Sequence, residues 1–313
     1  MPQIHATPLR AAMIGLGNMG GRIARRIRDA GHPIAGYDRS ASACERSGIV
    51  AAPSLAQAVR GADAVFLSLP DSTVIERVVH DPGGLLESVT AGQTVIDLST
   101  ASPASSIAIH AALGERGVPF IDAGISGGAA GAERGTLAVM AGGSEAALRR
   151  VQPLLDAFSA RTYHMGRPGS GHATKVLNNF LNAISLAATA EVMVAARLAE
   201  LDLERVLEVL NHSTGVNFAT TNRFPSIIEG DYLEGGLTSE LMAKDVRLYL
   251  RLLAELGVTS LAGPSCLGAF DLATALGYGG QISNRVVDAI GDIAGGVRLQ
   301  GYPRADAGKE ERR

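Results

Sequence analysis

The sequence predicts an α/β domain with a mostly parallel sheet, followed by an all-α domain that a long interdomain helix joins to it. Between residue 10 and about residue 166, short apolar runs alternate with segments of 3.6-residue periodicity. After Gly171, the chain contains neither proline nor glycine up to about Glu200, and helical patterns continue beyond it. Continuous apolar strands separated by helices are typical of a parallel sheet that is covered on both faces.

Predicted strands and helices alternate along the first half of the chain, and predicted helices follow in the second half. The predicted strands are AAMIGLG, PIAGYD, DAVFLSLP, TVIDLST, PFIDAGI and LAVMAG. The segments GGRIARRIRDA and PASSIAIHAALGERG are predicted helices, as are LERVLEVLNHS, SELMAKDVRLYLRLLAELG and SNRVVDAIGDIAGG. The helix after Gly171 would span about 45 Å, and its polar residues indicate a buried helix rather than a membrane span. We therefore expect a first domain at 1–167, a second at 168–300 and a polar tail at 301–313.

Composition excludes several classes of function. With 46% hydrophobic and 19% charged residues and a net charge of −3, the chain resembles an ordinary globular protein without a surface for nucleic acids or membranes. Cys44 and Cys266 form no CxxC pair, and the N-terminus lacks the apolar core of a signal peptide, which favours the cytoplasm. His164 and His172 have no carboxylate at ligand spacing, so we expect no metal site.

A glycine-rich motif, Gly15-Leu16-Gly17-Asn18-Met19-Gly20, follows the first predicted strand and opens the first predicted helix. In this context the first glycine permits a tight turn, and the second lets a pyrophosphate approach the backbone. The third lets the helix pack close to the strand. Because the helix N-terminus also offers N–H donors to an anion, the motif predicts a Rossmann-type dinucleotide-binding domain with this loop in the cofactor site.

The choice of dinucleotide depends on Asp38 and Arg39, which follow the second predicted strand. An acidic side chain there accepts hydrogen bonds from the adenosine ribose hydroxyls and repels a 2′-phosphate. The guanidinium of Arg39 could instead hold a 2′-phosphate, which leaves NADP open. We favour NAD because Asp38 stands at the end of the strand.

Three further motifs follow along the chain: Asp122–Gly128 (DAGISGG), Gly169–Lys175 (GSGHATK, continued by VLNN) and Leu241–Val246 (LMAKDV). Together with the glycine motif, in this order and across nearly the whole chain, they resemble the β-hydroxyacid dehydrogenase family. That family includes 3-hydroxyisobutyrate dehydrogenases and tartronate semialdehyde reductases. The resemblance implies an NAD(P)-dependent oxidoreductase that interconverts a small 3-hydroxy acid and its semialdehyde.

Lys175 is the candidate general acid/base. Hydride transfer from an alcohol requires a group that takes the hydroxyl proton, and the reverse reduction requires the same group to return it. A lysine can do so once desolvation or a neighbouring positive charge lowers its pKa. Asn178 and Asn179 lie three and four residues later on the same helical face, where they can orient the lysine or the substrate oxygen. The resemblance gives Lys175 the same catalytic role.

Ser126, Gly127 and Gly128 follow a predicted strand at its carboxyl end, where ligands bind in open α/β sheets. Small residues expose backbone N–H groups and the serine adds a hydroxyl, so together they could cradle a substrate carboxylate. The resemblance assigns this loop the same role. The family often has proline where Gly124 stands, and we expect the glycine to loosen that turn.

The remaining candidate residues border the cofactor or the substrate. Leu69-Pro70 and Thr100 each follow a strand of the same predicted sheet, so by topology they border the nicotinamide half of the cofactor. The resemblance also places Thr100 there. It further places Lys244 near the nicotinamide ribose and Asp245 beside the substrate pocket, and it implies a homodimer or homotetramer assembled through the helical domain.

Three alternatives stay open. An NADPH-dependent imine reductase shares the architecture, but those enzymes generally lack a lysine at the position of Lys175. A 6-phosphogluconate dehydrogenase is considerably longer and needs clustered basic residues for a sugar phosphate, which this chain lacks. A non-catalytic, nucleotide-sensing relative is the third alternative, and the intact lysine argues against it.

Overall fold

The computed structural model describes residues 8–300, and the chain packs as two compact units that divide between Val176 and Leu177. The predicted domain boundary near residue 167 lies just before the helix that contains this division. The predicted polar tail at 301–313 lies outside the described residues.

In the part of the chain that the structure describes, the first unit contains a seven-stranded sheet in the order β2-β1-β3-β4-β5-β6-β7. Neighbouring strands are parallel except for β5 and β6, which are antiparallel. The strands are β1 (Ala11–Ile14), β2 (Ile34–Tyr37), β3 (Ala64–Leu67), β4 (Thr94–Asp97), β5 (Phe120–Ser126), β6 (Leu137–Gly142) and β7 (Ser159–Gly166). The predicted fold class is confirmed.

Helices and two hydrophobic cores cover the faces of this sheet. Along β1 and β3, Met13 and Phe66 point into one core, whereas their neighbours Ile14 and Leu67 point into the other. Burial on both faces is the reason for the continuous apolar runs in the sequence. The helices are α1 (Gly20–Asp29), α2 (Ala41–Ser47), α3 (Leu55–Val59), α4 (Ser72–His80), α5 (Leu85–Ser88), α6 (Pro103–Gly114), α7 (Gly128–Arg134) and α8 (Glu145–Asp156).

The strand β7 is the one strand of the described sheet that the apolar runs do not predict. It lies at the edge of the sheet, beside β6 alone, and most of its residues are exposed. Because an edge strand is not enclosed on both faces, it has no need of a continuous apolar run.

The second unit is helical, as predicted. Its core contains Phe224 and Phe270, and the rings of Phe180 and Tyr249 stack with their centroids 3.7 Å apart. The helices are α9 (Ser170–Leu198, which begins in the first unit), α10 (Leu203–Asn211), α11 (Phe218–Asn222), α12 (Phe224–Ile227), α13 (Ser239–Glu255), α14 (Gly263–Ala273) and α15 (Val286–Ile293). Short π and 3-10 turns at Thr274–Tyr278 and Ser283–Arg285 precede α15.

The long helix α9 is, among the described residues, the helix whose length and composition would allow it to cross a membrane. Of its most apolar stretch, 56% is buried inside the protein. A core helix of a globular protein has the same length and composition, so this property alone does not indicate a membrane protein.

Candidate active site

The three glycines of the loop after β1 have three different surroundings. Gly15 has a φ of +94°, and a Cβ atom there would lie 2.2 Å from the carbonyl oxygen of Ser68. A Cβ atom at Gly20 would lie 2.0 Å from the carbonyl oxygen of Gly15, so the missing side chain lets α1 pack against the loop. A Cβ atom at Gly17 would meet no heavy atom within 4 Å. The loop therefore leaves open space at the one glycine that a pyrophosphate would approach.

The carboxylate of Asp38 holds the glycine loop against the end of β2. Its Oδ2 accepts a hydrogen bond from the backbone N–H of Leu16 at 2.8 Å, and its Oδ1 accepts one from the backbone N–H of Ser40 at 2.8 Å. Arg39, between these residues, is exposed. Asp38 and Arg39, the two residues expected to decide between NAD and NADP, thus lie beside the loop. Backbone hydrogen bonds fix the Asp38 carboxylate.

The loops after β1, β3 and β4 meet at the carboxyl edge of the sheet. Gly15 packs on the backbone of Ser68, and the N–H of Leu69 donates a hydrogen bond to the Oγ of Ser99 at 2.9 Å. The strand order changes direction at β1, so this edge is the switch point where open α/β sheets bind ligands. Predicted cofactor residues in these loops are Asn18, Met19, Leu69, Pro70 and Thr100.

Lys175 lies against β5. A Cβ atom built at Gly124 would lie 2.4 Å from the Cβ of Lys175 and 2.9 Å from its Cγ, so the lysine stem occupies the place of a side chain at position 124. Gly124 lies within β5 and not in a turn, and the expectation that it loosens a turn is therefore wrong. Ser126 ends the same strand two residues later and so shares the face of Gly124. The structure thus places the Lys175 stem against β5, two residues before the strand ends at Ser126.

The first turn of α9 is fixed to the sheet by Asp122. This buried carboxylate accepts hydrogen bonds from the backbone N–H groups of Gly169 and His172, each at 2.8 Å. A Cβ atom at Gly171 would lie 2.2 Å from the carbonyl oxygen of Asp122 and 2.4 Å from that of Met140. Since the first N–H groups of a helix lack intrahelical partners, Asp122 caps α9 from a neighbouring strand.

A buried polar cluster at Asp97 and His172 lies under this helix start. The Nδ1 of His172 hydrogen-bonds to the Oγ of Ser106 at 2.7 Å, and its Nε2 lies 3.2 Å from the carbonyl oxygen of Asp97. The carboxylate of Asp97 accepts a hydrogen bond from the N–H of Ser99. Burial raises the pKa of Asp97, against the opposing effect of His172. The sequence pattern does not indicate this cluster, because its members are far apart in the chain.

The predicted carboxylate cradle continues from β5 into α7. Ser126 is half-buried, and Gly127 and Gly128 have φ values of +128° and +63°. A Cβ atom at Gly128 would meet nothing within 4 Å, so its backbone is open to a ligand. The positive φ values and the open space both fit a loop that presents backbone N–H groups.

In the second unit, Asn178, Asn179, Lys244 and Asp245 form a chain of contacts. The Nδ2 of Asn179 donates a hydrogen bond to the buried Asp245 carboxylate at 2.5 Å, and Asn178 donates one to the Oδ1 of Asn179 at 3.3 Å. The ammonium of Lys244 lies 3.0 Å from the other oxygen of Asp245. Asp245 therefore orients the amide of Asn179, one helical turn after Lys175 on α9.

The scarcity of lysine is a further signal of the site in this sequence. Of the 28 basic residues in the chain, three are lysines, namely Lys175, Lys244 and Lys309. Arginine keeps its charge in proteins, whereas a lysine can lose its proton when its surroundings lower its pKa. Two of the three lysines thus stand at predicted site positions.

Within residues 8–300, no group of three or more His, Cys, Asp or Glu could hold a metal ion.

Two family models match the chain. Residues 10–166 match the family described as the NAD binding domain of 6-phosphogluconate dehydrogenase. Residues 169–290 match the family described as NAD-binding of NADP-dependent 3-hydroxyisobutyrate dehydrogenase. The two matches cover both units.

Individual relatives are similar over most of their length. The chain is 36% identical to an NAD-dependent L-serine dehydrogenase of Pseudomonas aeruginosa, over 85% of this chain and 93% of the relative. It is 31% identical to a 2-(hydroxymethyl)glutarate dehydrogenase of Eubacterium barkeri, over 89% and 94%. The solved 3-hydroxyisobutyrate dehydrogenase of Mycobacterium tuberculosis with L-serine is 29% identical, with a TM-score of 0.80 over 90% of this chain and 98% of that one.

The fold, the glycine loop and these relatives define an NAD(P)-dependent hydroxyacid dehydrogenase. The chain belongs to the β-hydroxyacid dehydrogenase family. Solved imine reductases share the fold at 16% to 21% identity, a likeness that shows the architecture alone. The predicted family and class of reaction are confirmed.

Proposed function

We propose that the protein reversibly oxidises the terminal hydroxyl of a small 3-hydroxy acid to the semialdehyde, with Lys175 as the general acid/base. The observation that carries this proposal is the contact of the Lys175 stem with Gly124, two residues before Ser126 on the same face of β5. A proton-transfer group and a carboxylate-binding hydroxyl at one strand end fit a substrate whose alcohol and acid are separated by one carbon.

The glycine loop and Asp38 would hold NAD(P), which would supply the hydride acceptor for the carbon that bears the hydroxyl. The hydroxyl of Ser126 and the N–H groups of Gly127 and Gly128 hold the carboxylate. Lys175, as the neutral amine, takes the hydroxyl proton when the alcohol is oxidised and returns it in the reverse direction. Asn179, oriented by Asp245, and Asn178 position the reacting end of the substrate.

The names of the relatives support a particular substrate skeleton. L-serine, 3-hydroxyisobutyrate and 2-(hydroxymethyl)glutarate all contain the unit HO–CH2–CH(R)–COO⁻, and they differ only in R. The group R is an ammonium, a methyl or a carboxyethyl group in the three cases. We propose that this protein acts on the same unit.

A panel of hydroxy acids tests this function. Absorbance of the reduced cofactor would be followed with 3-hydroxyisobutyrate, L-serine, 2-(hydroxymethyl)glutarate, D-glycerate and 4-hydroxybutyrate, with both NAD and NADP. We expect the highest kcat/KM with a substrate that contains the shared unit. Preference for 4-hydroxybutyrate, in which a further carbon separates the alcohol from the acid, would contradict the proposed skeleton.

We further propose that NAD is the preferred cofactor, because an acidic side chain at the end of β2, such as Asp38, would bind the adenosine ribose hydroxyls and repel a 2′-phosphate. The variant Asp38→Ala removes this repulsion and leaves Arg39 in place. We expect the ratio of kcat/KM for NAD over that for NADP to fall by about tenfold or more. An unchanged ratio would assign selection to Arg39 or another residue, and Arg39→Ala is the matched variant.

We propose an assembly of two or four copies, a cytoplasmic location and the domain limits at residues 167 and 300. Exposed apolar side chains recur along α9 at spacings of four, seven, four and three residues, which places them in one stripe. The stripe contains Leu177, Leu181, Ala188, Val192 and Ala195. A second copy of the helical domain, with the same stripe, would cover such a surface in a two-fold symmetric dimer.

A further inference from the structure

Gly124 has no conformational reason to be glycine. It lies in the middle of β5, pairs with Met140 of β6, and is absent from the residues with positive φ among those that the structure describes. An L-residue could therefore adopt its backbone conformation without strain. Glycine within a strand often marks a close approach by another group, and here that group is the stem of Lys175.

In this chain the contact leaves no room for a Cβ atom at position 124, so the glycine marks a departure from the proline that the family often has there. A Cβ atom at position 124 would lie 2.4 Å from the Cβ of Lys175 and 2.9 Å from its Cγ, whereas nonbonded carbon atoms are separated by about 3.5–4.0 Å. The two lysine carbons nearest the helix backbone make this contact, so a rotation of the outer side chain would not relieve it. A side chain at position 124 would have to displace the helix itself.

The start of α9 is also held where it is by independent contacts. The Asp122 carboxylate binds the N–H groups of Gly169 and His172, and Gly171 packs on the backbone of β5 and β6. His172 is fully buried and hydrogen-bonded to Ser106. These contacts lie within two turns of Lys175, so the helix cannot withdraw from β5 without breaking them.

We infer that Gly124 is a positioning residue for Lys175: its missing side chain sets how deep the lysine stem lies against β5 and therefore where the amine stands relative to Ser126. This inference rests on the proposed function of Lys175. It assigns the geometry of proton transfer to a glycine that acts through its contact with the lysine stem.

The variant Gly124→Ala tests the inference, with Gly114→Ala as its control. Gly114 ends α6 in the same unit, has no positive φ, and a Cβ atom there would meet nothing within 4 Å. Because a displacement of about 1 Å can cost on the order of 100-fold in rate, we expect kcat of Gly124→Ala to fall to that extent. The Kd for the dinucleotide should stay unchanged, and Gly114→Ala should keep wild-type kcat. Wild-type kcat in Gly124→Ala would overturn the inference.

A direct measurement of the amine provides a readout other than activity. Reductive methylation with ¹³C-formaldehyde labels the three lysines and the N-terminal amine, and Lys175→Ala identifies the signal of Lys175 by NMR. We expect the chemical shift and the titration midpoint of Lys175 to change in Gly124→Ala and to stay the same in Gly114→Ala. Identical titration curves in all three proteins would contradict the inference.

A double-variant cycle covers the case in which Gly124→Ala folds poorly. If the collision with the stem is the cause, Gly124→Ala should lower Tm when residue 175 is lysine and should not lower it in the Lys175→Gly background. An equal loss of Tm in both backgrounds would place the cause elsewhere. The proposed function fails separately: wild-type kcat in Lys175→Ala would refute the role of the lysine, whatever the result at Gly124.

Discussion

The loop after β1 and the strand β5 both depend on glycine within one sheet, but for opposite reasons. At Gly17 the space of the missing side chain is open, and it suits a ligand from outside the protein. At Gly124 the corresponding space is filled by Lys175, a side chain of the protein itself. The role of a glycine is therefore clear only when the group that fills the position of its missing Cβ atom is known. A sequence motif alone does not show that group.

Removal of the Lys175 side chain, which fills the space beside Gly124, should have the largest effect on activity. We expect Lys175→Ala to lower kcat by about 100-fold or more, which is the scale of lost general acid/base catalysis. Dinucleotide binding should be retained, because the glycine loop and Asp38 are untouched. Steady-state kinetics and cofactor titration by fluorescence would check both expectations. If Lys175→Ala lost cofactor affinity as well as kcat, Lys175 would also contribute to dinucleotide binding. The glycine loop and the lysine would then not act separately.

Substitutions in the glycine loop after β1 should have effects of intermediate size, and these should differ between Gly17 and Gly15. We expect Gly17→Ala to keep the wild-type Tm, because a Cβ atom there meets nothing, while its Kd for the dinucleotide rises by about tenfold as the methyl group blocks the pyrophosphate. Gly15→Ala should lower Tm as well, since its Cβ atom would collide with the Ser68 carbonyl at a positive φ. Calorimetry and cofactor titration would measure both. Equal losses of Tm in the two variants would contradict the distinction between Gly17, which has open space at its Cβ position, and Gly15, which does not.

The smallest expected effect is a change in stability at Asp97, the last residue of β4. This strand lies between β1 and β5 in the sheet. Burial raises the pKa of this carboxyl above 3.8, so the native state binds its proton more tightly than the unfolded state does. Its contribution to stability is therefore present at low pH and is lost as pH rises through 3.8 and upward to the native pKa. We expect Asp97→Asn, which cannot ionise, to gain stability relative to wild type as pH rises from 4. A Tm difference that does not vary with pH would contradict this.

The sequence was sufficient to predict elements whose signal is local. The buried strands β1 to β6, the glycine loop and the uninterrupted helix α9 each follow from apolar runs, periodicity and punctuation. The edge strand β7 was not predictable in this way, because its residues are mostly exposed. Local patterns also carry no information about the reversal of β6, which depends on which neighbour the strand pairs with.

Long-range polar contacts set a similar limit at the site. The hydrogen bonds of Asp122 to Gly169 and His172 join residues 47 and 50 positions apart, and His172 contacts Asp97 across 75 positions. No spacing in the sequence indicates such pairs. The role of Gly124 was misread for the same reason, since its neighbour Lys175 lies in a separate motif. The assignments of individual residues to cofactor and substrate stay predictions that the variants above examine.

The reversed pair β6 and β7 has a consequence for the route of the chain. In a wholly parallel sheet, each strand delivers the chain to the ligand-binding rim and the next helix carries it away. Because β6 and β7 run against β5, the chain leaves β7 at the far rim, and the first turns of α9 travel along β5 from Asp122 to Gly124, towards the rim with Ser126. One change of strand direction thus turns an outbound helix into an inbound one and brings its lysine to the place where chemistry can occur.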